Sequence, residues 1–233
     1  MKEKLIVLSG AGVSQESGID TFRGAGGMWE KYDVTELANP MAWQRDPELV
    51  LRFYNMRRKT VMEAEPNGAH KHIAELEKDF NVQVVTQNVD DLHERAGSSR
   101  VLHLHGEIRK ARSTKDSSLV YDIEGSELNM GDTCELGAQL RPHVVWFGEA
   151  VPAIEEAIDI VSEADILLVI GTSLNVYPAA GLLHYCPGHC RIFLVDPGDV
   201  TVDSDNVTII KEKAVKGMER FLEMERGSDG ERE

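Results

Sequence analysis

The sequence predicts an α/β protein: a parallel β-sheet with helices on both faces, joined to a smaller domain built from two insertions. Three observations carry that expectation. Short runs dominated by apolar residues (Leu5-Ile6-Val7-Leu8, Val82–Val85, Ile166–Ile170, Arg191–Val195) recur with helical segments between them, as strands buried on both faces do. Two glycine-marked turns, Gly10-Ala11-Gly12 and Gly171-Thr172-Ser173, directly follow such runs. Two long stretches, about 24–66 and 106–148, break the alternation with glycine, aromatic and turn residues or with no clear period.

In chain order, Lys4–Ser9 reads as a buried strand ending at Gly10, and a helix starts near Val13 or Ser14 and gives way at Gly18. Pro47 suits the first turn of a helix running to about Glu63. Asn67 is placed to cap a helix over Gly68–Lys78, with Ile73 and Leu76 facing inward. Val82–Thr86 and Val101–Leu104 are strands. Arg109–Asp132 has scattered β-type residues without a period, and Val144–Phe147 reads as a strand edge or a loop. Pro152–Ser162 is helical, and Ile166–Ile170, Arg191–Val195 and Val207–Ile210 are strands. A last helix covers roughly Ala214–Glu223, and the charged residues from Glu225 read as a frayed end. Residues 1–23, 67–105 and 149–225 are assigned to the Rossmann-like sheet domain, 24–66 and 106–148 to the small domain, and 226–233 to a tail.

A chain of 233 residues can bury a sizeable core. Its formal charge of −15 argues against nonspecific nucleic-acid binding, which needs a basic surface. An acidic surface could steer a basic protein substrate, although plain solvation accounts for most of those charges. No stretch approaches a membrane span, and the apolar run after Met1 is too short for a signal peptide, so a cytoplasmic location is expected. The three cysteines, Cys134, Cys186 and Cys190, build no disulfide framework.

The chemistry sits at the predicted strand ends. Gly10, Ala11 and Gly12 let the backbone approach a pyrophosphate, a weak signal alone because many strand-to-helix turns carry two glycines. Gly171, Thr172 and Ser173, with Asp196 after a later strand, supply hydroxyls and a carboxylate for a phosphate or ribose. Jointly the two sites make a nucleotide the better reading. After the strand Val82–Val85, "TQNVDDLHERAG" bunches Gln87, Asn88, Asp90 and Asp91, where helix capping needs only one polar group. The surplus points to hydrogen bonds with a carboxamide and sugar hydroxyls. His103 and His105 share one strand face in "VLHLHGE". A partly buried pair or a metal pair are the bland alternatives, but no further His, Cys or carboxylate set completes a metal site. His105, at the strand end before Gly106, is the better placed general base, and His103 is read as structural.

Together, "GAGVSQESGIDTFRG", "TQNVDDLH", "HLHGE", "LRPHVVWFGE" and "GTSLNVYPAA", in that order and spanning most of the chain, resemble the sirtuin family of NAD-dependent protein-lysine deacylases. The resemblance implies that NAD is consumed as a co-substrate. Ser14, Gln87, Asn88 and Asp90 would bind the nicotinamide ribose. The acyl-lysine oxygen would attack the ribose carbon as nicotinamide leaves, and His105 would then act as general base on a ribose hydroxyl, with Asn88 and Asp90 in the catalytic set. Ile19, Phe22, Arg23 and Trp29 match the cofactor-binding loop, and Val89 and Ala214 match further cofactor contacts. Val145, Phe147, Gly148 and Val176 match positions that clamp an acylated-lysine peptide as a β-strand and line its tunnel.

Two departures sharpen the resemblance. "FYNMRR" sets Tyr54 and Arg57 on one helical face, resembling the Tyr-x-x-Arg of desuccinylase-type members, with Ala25 as the small residue that widens the tunnel. Arg57 would pair with an acyl carboxylate and Tyr54 would add a hydrogen bond, against the alternative of an exposed arginine and a core tyrosine. The family's structural zinc normally rests on four cysteines. Here Ser113, Asp116, Cys134 and Gly137 stand at those positions, so no zinc is expected, and Leu119, Val120, Tyr121, Ile123, Leu128 and Leu136 are the candidate apolar substitute. The rival functions are a protein ADP-ribosyltransferase and a noncatalytic binding module for acyl-lysine or NAD metabolites.

Overall fold

The computed structural model describes residues 2–21, 37–172, 174, 177–198 and 206–229. Its centre is β1 (Lys4–Ser9), which pairs in parallel with β2 (Asn81–Thr86) on one side and β7 (Ile166–Ile170) on the other. β3 (Val101–His103) lies beyond β2, and β8 (Arg191–Val195) and β9 (Val207–Ile210) lie beyond β7. The order is β3-β2-β1-β7-β8-β9, parallel throughout.

Strand alternation explains why these runs are apolar at every position. Leu5, Val7, Val84 and Leu168 point to one face, where they meet Ala69 and Ile73 of α4 (Gly68–Glu75) and Met218 and Phe221 of α7 (Ala214–Asp229). Ile6, Leu8, Val85 and Val169 point to the other, against Ala157 and Val161 of α6 (Ile154–Ser162) and Leu182 of the 3-10 turn Ala179–Tyr185. Successive residues therefore all enter a core, one on each face. The chain leaves β1 for β2 on one side and reaches β7 on the other. The carboxyl ends of β1 and β7 thus form the divergence point at which such sheets bind ligands.

The small sheet is antiparallel, in the order β5-β4-β6, from β4 (Gly106–Ser113), β5 (Val120–Asp122) and β6 (Leu140–Val144). Its strands fall where the sequence showed no period, and the reason is visible. The β4–β6 register shifts between Gly106 and Ala111, so the buried residues Ile108 and Ala111 are spaced by three rather than two. β6 also starts earlier than the apolar Val144–Phe147 run, with only Val144 inside it.

Other boundaries moved as well. α1 (Gly12–Gln15) stops before Gly18, and α2 (Pro40–Arg45), capped by the Asn39 side chain on Ala42 N at 2.8 Å, is too short to show a period. α3 (Pro47–Glu63) is capped by Asp46, and α5 (Leu92–Ala96) follows the β2 loop. α7 runs past the expected end to Asp229, because Glu225 is buried and holds Arg191 through two bonds of 2.7 and 3.0 Å. Of the six residues proposed as an apolar substitute for zinc, Ile123 and Leu128 join Leu51 and Ala111 in a buried cluster, whereas Val120 and Leu136 stay exposed. The remainder of the fastening is polar: Arg58, fully buried, donates to Ile108 O (2.7 Å) and Ser126 O (2.9 Å), and Asn55 exchanges two bonds with the Leu128 backbone. No helix among the described residues is long and apolar enough to cross a membrane.

Candidate active site

The site begins where two glycine turns touch. A Cβ on Gly10 would lie 2.7 Å from Thr172 Cβ, and one on Gly171 would lie 2.2 Å from Val13 N, so neither position admits a side chain. The Gly10 and Gly12 amides donate to Ile170 O (3.0 Å) and Gly171 O (2.8 Å). These glycines therefore join the ends of β1 and β7. The N–H groups of Gly10 and Gly12 are engaged in that junction.

Beside this junction a buried polar cluster closes on Ser14. Its hydroxyl donates to Asp90 Oδ2 at 3.0 Å, accepts from Asn88 Nδ2 at 3.1 Å and faces His70 Nε2 at 3.4 Å. Asp90 Oδ1 accepts from Leu92 N at 3.2 Å, a turn contact that leads into α5. Burial pushes the Asp90 carboxyl up, against the opposing pull of the Leu92 and Ser14 bonds. Gln87 Nε2 donates to Thr172 Oγ1 at 3.1 Å and so bridges the two halves of the sheet. Val89 and Ile19 are buried in the apolar cluster under α3, and Ala11 lines the adjoining cleft with Ser14. Buried hydroxyl, amide and carboxylate groups thus converge at the strand ends, as ribose recognition requires, so the residues present fit a dinucleotide.

The two histidines of "HLHGE" separate on hydrogen bonds. His105 Nδ1 lies 2.9 Å from Gln87 O, and a carbonyl only accepts, so Nδ1 carries the hydrogen and Nε2 keeps its lone pair. Burial holds this ring below the usual histidine range, partly opposed by the same Gln87 bond, which leaves a neutral base near neutral pH. His103 instead bonds Asn88 O through Nδ1 (2.8 Å) and Glu94 Oε1 through Nε2 (2.7 Å). Burial disfavours its charge, but the Glu94 bond and charge outweigh that, so its pKa is raised. Both its nitrogens are engaged, which suits a strut rather than a base. Gly106 follows with φ +79°, and a Cβ there would sit 2.1 Å from His143 O. Only glycine lets β4 leave beside His105 under the crossing of β6.

Tyr54 and Arg57 are both buried on α3, while Arg52 and Lys59 on the same helix are exposed. Arg57 lines a narrow cleft with Ser14, Ile19, Asp20, Asn88 and Asp90. Burial pulls its guanidinium down, and Tyr54, Asp90 and Asp20 act in the opposite direction. The Tyr54 phenol is pushed up to about 12 by burial, and its oxygen accepts from Trp146 Nε1 at 3.0 Å. Arg57 is thus not the exposed arginine of the alternative, whereas Tyr54 is buried as a core tyrosine also would be.

The segment after β6 crosses this wall. Val145 N donates to His105 O (2.9 Å), and Phe147 N to Ala38 O (3.0 Å), while the Phe147 ring is 46% exposed and Gly148 is exposed with φ +89°. Glu149 fastens the segment: Oε2 accepts from Trp146 N at 2.8 Å, and the carboxylate pairs with Arg141 and Arg112. Trp146, Glu149, Arg141 and the buried His70 and His93 were not picked out from the sequence. Three of them stand inside "LRPHVVWFGE", where alternating charge and aromatic residues were the available signal. Asp196 Oδ1 accepts from Gly198 N at 2.8 Å, a turn contact, and Ala214 is buried at the start of α7. Phe22, Arg23, Ala25, Trp29, Ser173 and Val176 lie outside the described residues.

The four positions matching zinc ligands are linked by hydrogen bonds of their own. Cys134 Sγ donates to Ser113 Oγ at 3.2 Å, and that oxygen accepts from Lys115 N (3.1 Å) and Asp116 N (3.3 Å). Gly137, with φ +70°, turns back so that its N–H reaches Cys134 O at 2.9 Å. One thiol and a hydroxyl already in use do not fit a tetrahedral thiolate site. Among the described residues no group of three or more His, Cys, Asp or Glu is placed to hold a metal ion.

Comparison with known proteins places this geometry. The Sir2 family model matches residues 10–178. The chain is 53% identical over 228 residues to an NAD-dependent protein deacylase of Bacteroides thetaiotaomicron, covering 95% of this chain and 97% of that one. It is 53% identical over 221 residues to an NAD-dependent protein deacylase of Helicobacter pylori, covering 94% and 96%. Among solved structures, an ADP-ribose complex of a mutant Sir2 homologue superposes with a TM-score of 0.89 at 39% identity, covering 98% of this chain and 94% of the other. A Sir2 homologue bound to NAD gives 0.86 at 40% identity, covering 97% and 91%.

Proposed function

The chain belongs to the Sir2 family, and from that premise we propose that it uses NAD to remove acyl groups from protein lysines. NAD, when bound, supplies an electrophilic ribose carbon with nicotinamide as leaving group, and it becomes the acceptor of the acyl group. The chain's own residues do the rest. Ser14, Asn88 and Asp90 form a preset polar cluster for the ribose end, and Gln87 with Thr172 spans the strand ends that hold the dinucleotide. The observation that carries the reading is His105. Its Nδ1–H is fixed on Gln87 O, so Nε2 is left to take a proton from a sugar hydroxyl. Val145 and Phe147 stand at the edge where an extended acyl-lysine peptide adds as a strand. Residues 1–23, 67–105 and 149–225 are the NAD-binding domain in this reading, 24–66 and 106–148 the small domain, and the protein acts in the cytoplasm. Incubation with NAD and an acetyl-lysine peptide is expected to release nicotinamide and lower the peptide mass by the acyl group. Absence of nicotinamide, or a mass raised by ADP-ribose, would overturn it.

The acyl group accepted includes acidic chains such as succinyl. Support comes from Arg57, which is buried and lines the cleft, and from Tyr54, buried three positions before it on the same helical face. A hydrogen bond to a charged group contributes about 1.5–3 kcal/mol. Arg57→Met should therefore lower the succinyl-to-acetyl ratio of kcat/KM by about tenfold to a hundredfold. An equal fall with both peptides would refute the acidic preference.

A further inference from the structure

We propose that Trp146 is a specificity-determining positioning residue: its indole N–H occupies the accepting side of the Tyr54 hydroxyl, so that the phenolic hydrogen becomes the group offered to an acidic acyl chain. The inference rests on the reading of Tyr54 and Arg57 given above. A phenol oxygen both donates and accepts, and nothing intrinsic to tyrosine decides which role a ligand meets. Indole nitrogen only donates. The 3.0 Å contact from Trp146 Nε1 to Tyr54 Oη therefore has one sense, with tyrosine as acceptor. Burial also keeps the phenol protonated, its pKa pushed up to about 12. The hydroxyl hydrogen must then point away from Trp146, and Tyr54 meets an incoming carboxylate as a donor beside the Arg57 cation.

Trp146 is itself held from three sides. It is 2% exposed, its main-chain N–H donates to Glu149 Oε2 at 2.8 Å, and the Arg141 guanidinium lies 3.3 Å from the ring centroid. Trp43 meets the ring at 5.8 Å. Glu149 is fixed in turn by Arg141 in β6 (2.7 and 3.1 Å) and Arg112 in β4 (3.2 Å). The orientation of one hydrogen on α3 is thus set by the small sheet. An acetyl group carries no acceptor beyond its own amide oxygen, so the bias acts on acyl chains that end in a carboxylate. A charge-assisted bond is also roughly twice as strong as a neutral one.

The test compares Trp146→Phe, Tyr54→Phe and the double variant on acetyl- and succinyl-lysine peptides of one sequence at saturating NAD. Each single change is expected to lower the succinyl-to-acetyl ratio of kcat/KM about tenfold, through the succinyl KM rather than kcat. The double variant should be no worse than Tyr54→Phe, because both act through one hydroxyl. If Trp146→Phe raises both KM values alike, or if the two changes add, the tryptophan only packs and the inference fails. If Tyr54→Phe and Arg57→Met are selective but Trp146→Phe is not, the inference alone falls and the acidic-acyl reading stands. If Tyr54→Phe is not selective but Arg57→Met is, the inference falls and the acidic-acyl reading stands on Arg57; if neither is selective, both fall. Should Trp146→Phe not fold, the indole N–H resonances of the parent protein decide. The one displaced by Tyr54→Phe must shift on adding succinyl-lysine peptide more than on adding acetyl-lysine peptide, and equal shifts overturn the inference.

Discussion

His70 is fully buried behind the active site, and its protonation is predicted to be one step by which acid unfolds the protein. Ser14 spends its hydrogen on Asp90, so the His70 ring donates to Ser14 Oγ from Nε2. The other ring nitrogen, Nδ1, has no hydrogen-bond partner among the described residues. Charging the ring would put a proton on that nitrogen, in a ring whose centroid lies 5.0 Å from that of the second buried imidazole, His93. Burial accordingly pulls His70 down from 6.5 to about 4. The unfolded chain binds this proton as pH falls through 6.5, and the folded chain resists until about 4. Stability is complete above 6.5, declines between 6.5 and 4, and has lost about 3 kcal/mol by pH 4, at about 1.4 kcal/mol per pH unit. That is a large part of the roughly 5–15 kcal/mol that a domain has. Urea unfolding at pH 7.5 and pH 5.0 measures it, with His70→Asn as the reference that keeps a donor for Ser14 but cannot titrate. Over this interval the parent protein should lose about 2 kcal/mol more than the variant. Equal losses would show that His70 does not carry a depressed pKa and that the buried pair is not an acid-sensitive element.

Four further outcomes follow from the same geometry. His105→Ala should cut formation of deacylated peptide by roughly 10²–10⁴-fold while single-turnover nicotinamide release persists; loss of both would remove His105 from its late proton step. In the parent protein kcat/KM should fall as acid protonates His105, with a midpoint below 6.5 because burial lowers it; an acid limb centred above that value contradicts the assignment. Arg58→Met should cost about 3 kcal/mol in urea unfolding, since it strands the Ile108 and Ser126 carbonyls and the Asn55 side chain; a loss under about 1 kcal/mol refutes the strap. Protein purified without chelators should contain no stoichiometric zinc, and metal analysis finding one zinc per chain would overturn the replacement of the metal by the Cys134–Ser113 bond.

The large sheet was legible because its strands are buried on both faces, and a residue that must be apolar at every position leaves a plain run. The glycine turns, Gln87, Asn88, Asp90 and His105 were legible because polar residues crowd the ends of those runs. The small sheet was not, since a register shift between Gly106 and Ala111 breaks its period and three of its β4 side chains are Arg or Lys. His70 and His93 escaped notice for a different reason. A histidine on a helix face reads as surface, and only the packing of α4 against α5 buries both. Glu225 looked like part of a charged tail until Arg191, far back in the chain, supplied its partner. Such pairings are made by tertiary contact and leave no local pattern.

α3 shows why specificity and stability are coupled in this chain. Tyr54 and Arg57 lie three apart on one face, from which Arg57 lines the cleft, whereas Asn55 and Arg58, one position further around, face β4 and the 126–128 turn. The small sheet returns to the same helix through Glu149, Trp146 and the Tyr54 hydroxyl. The contacts that fasten the small unit run through the helix that carries the residues proposed to select the acyl group. Loosening that unit must therefore shift Tyr54 and Arg57 before the main sheet is disturbed, and a displacement of about 1 Å is enough to matter at a reacting centre. In mild urea, well below global unfolding, the succinyl-to-acetyl ratio should decline while acetyl turnover holds. A ratio constant up to the unfolding transition would mean that the two sets of contacts on α3 act independently.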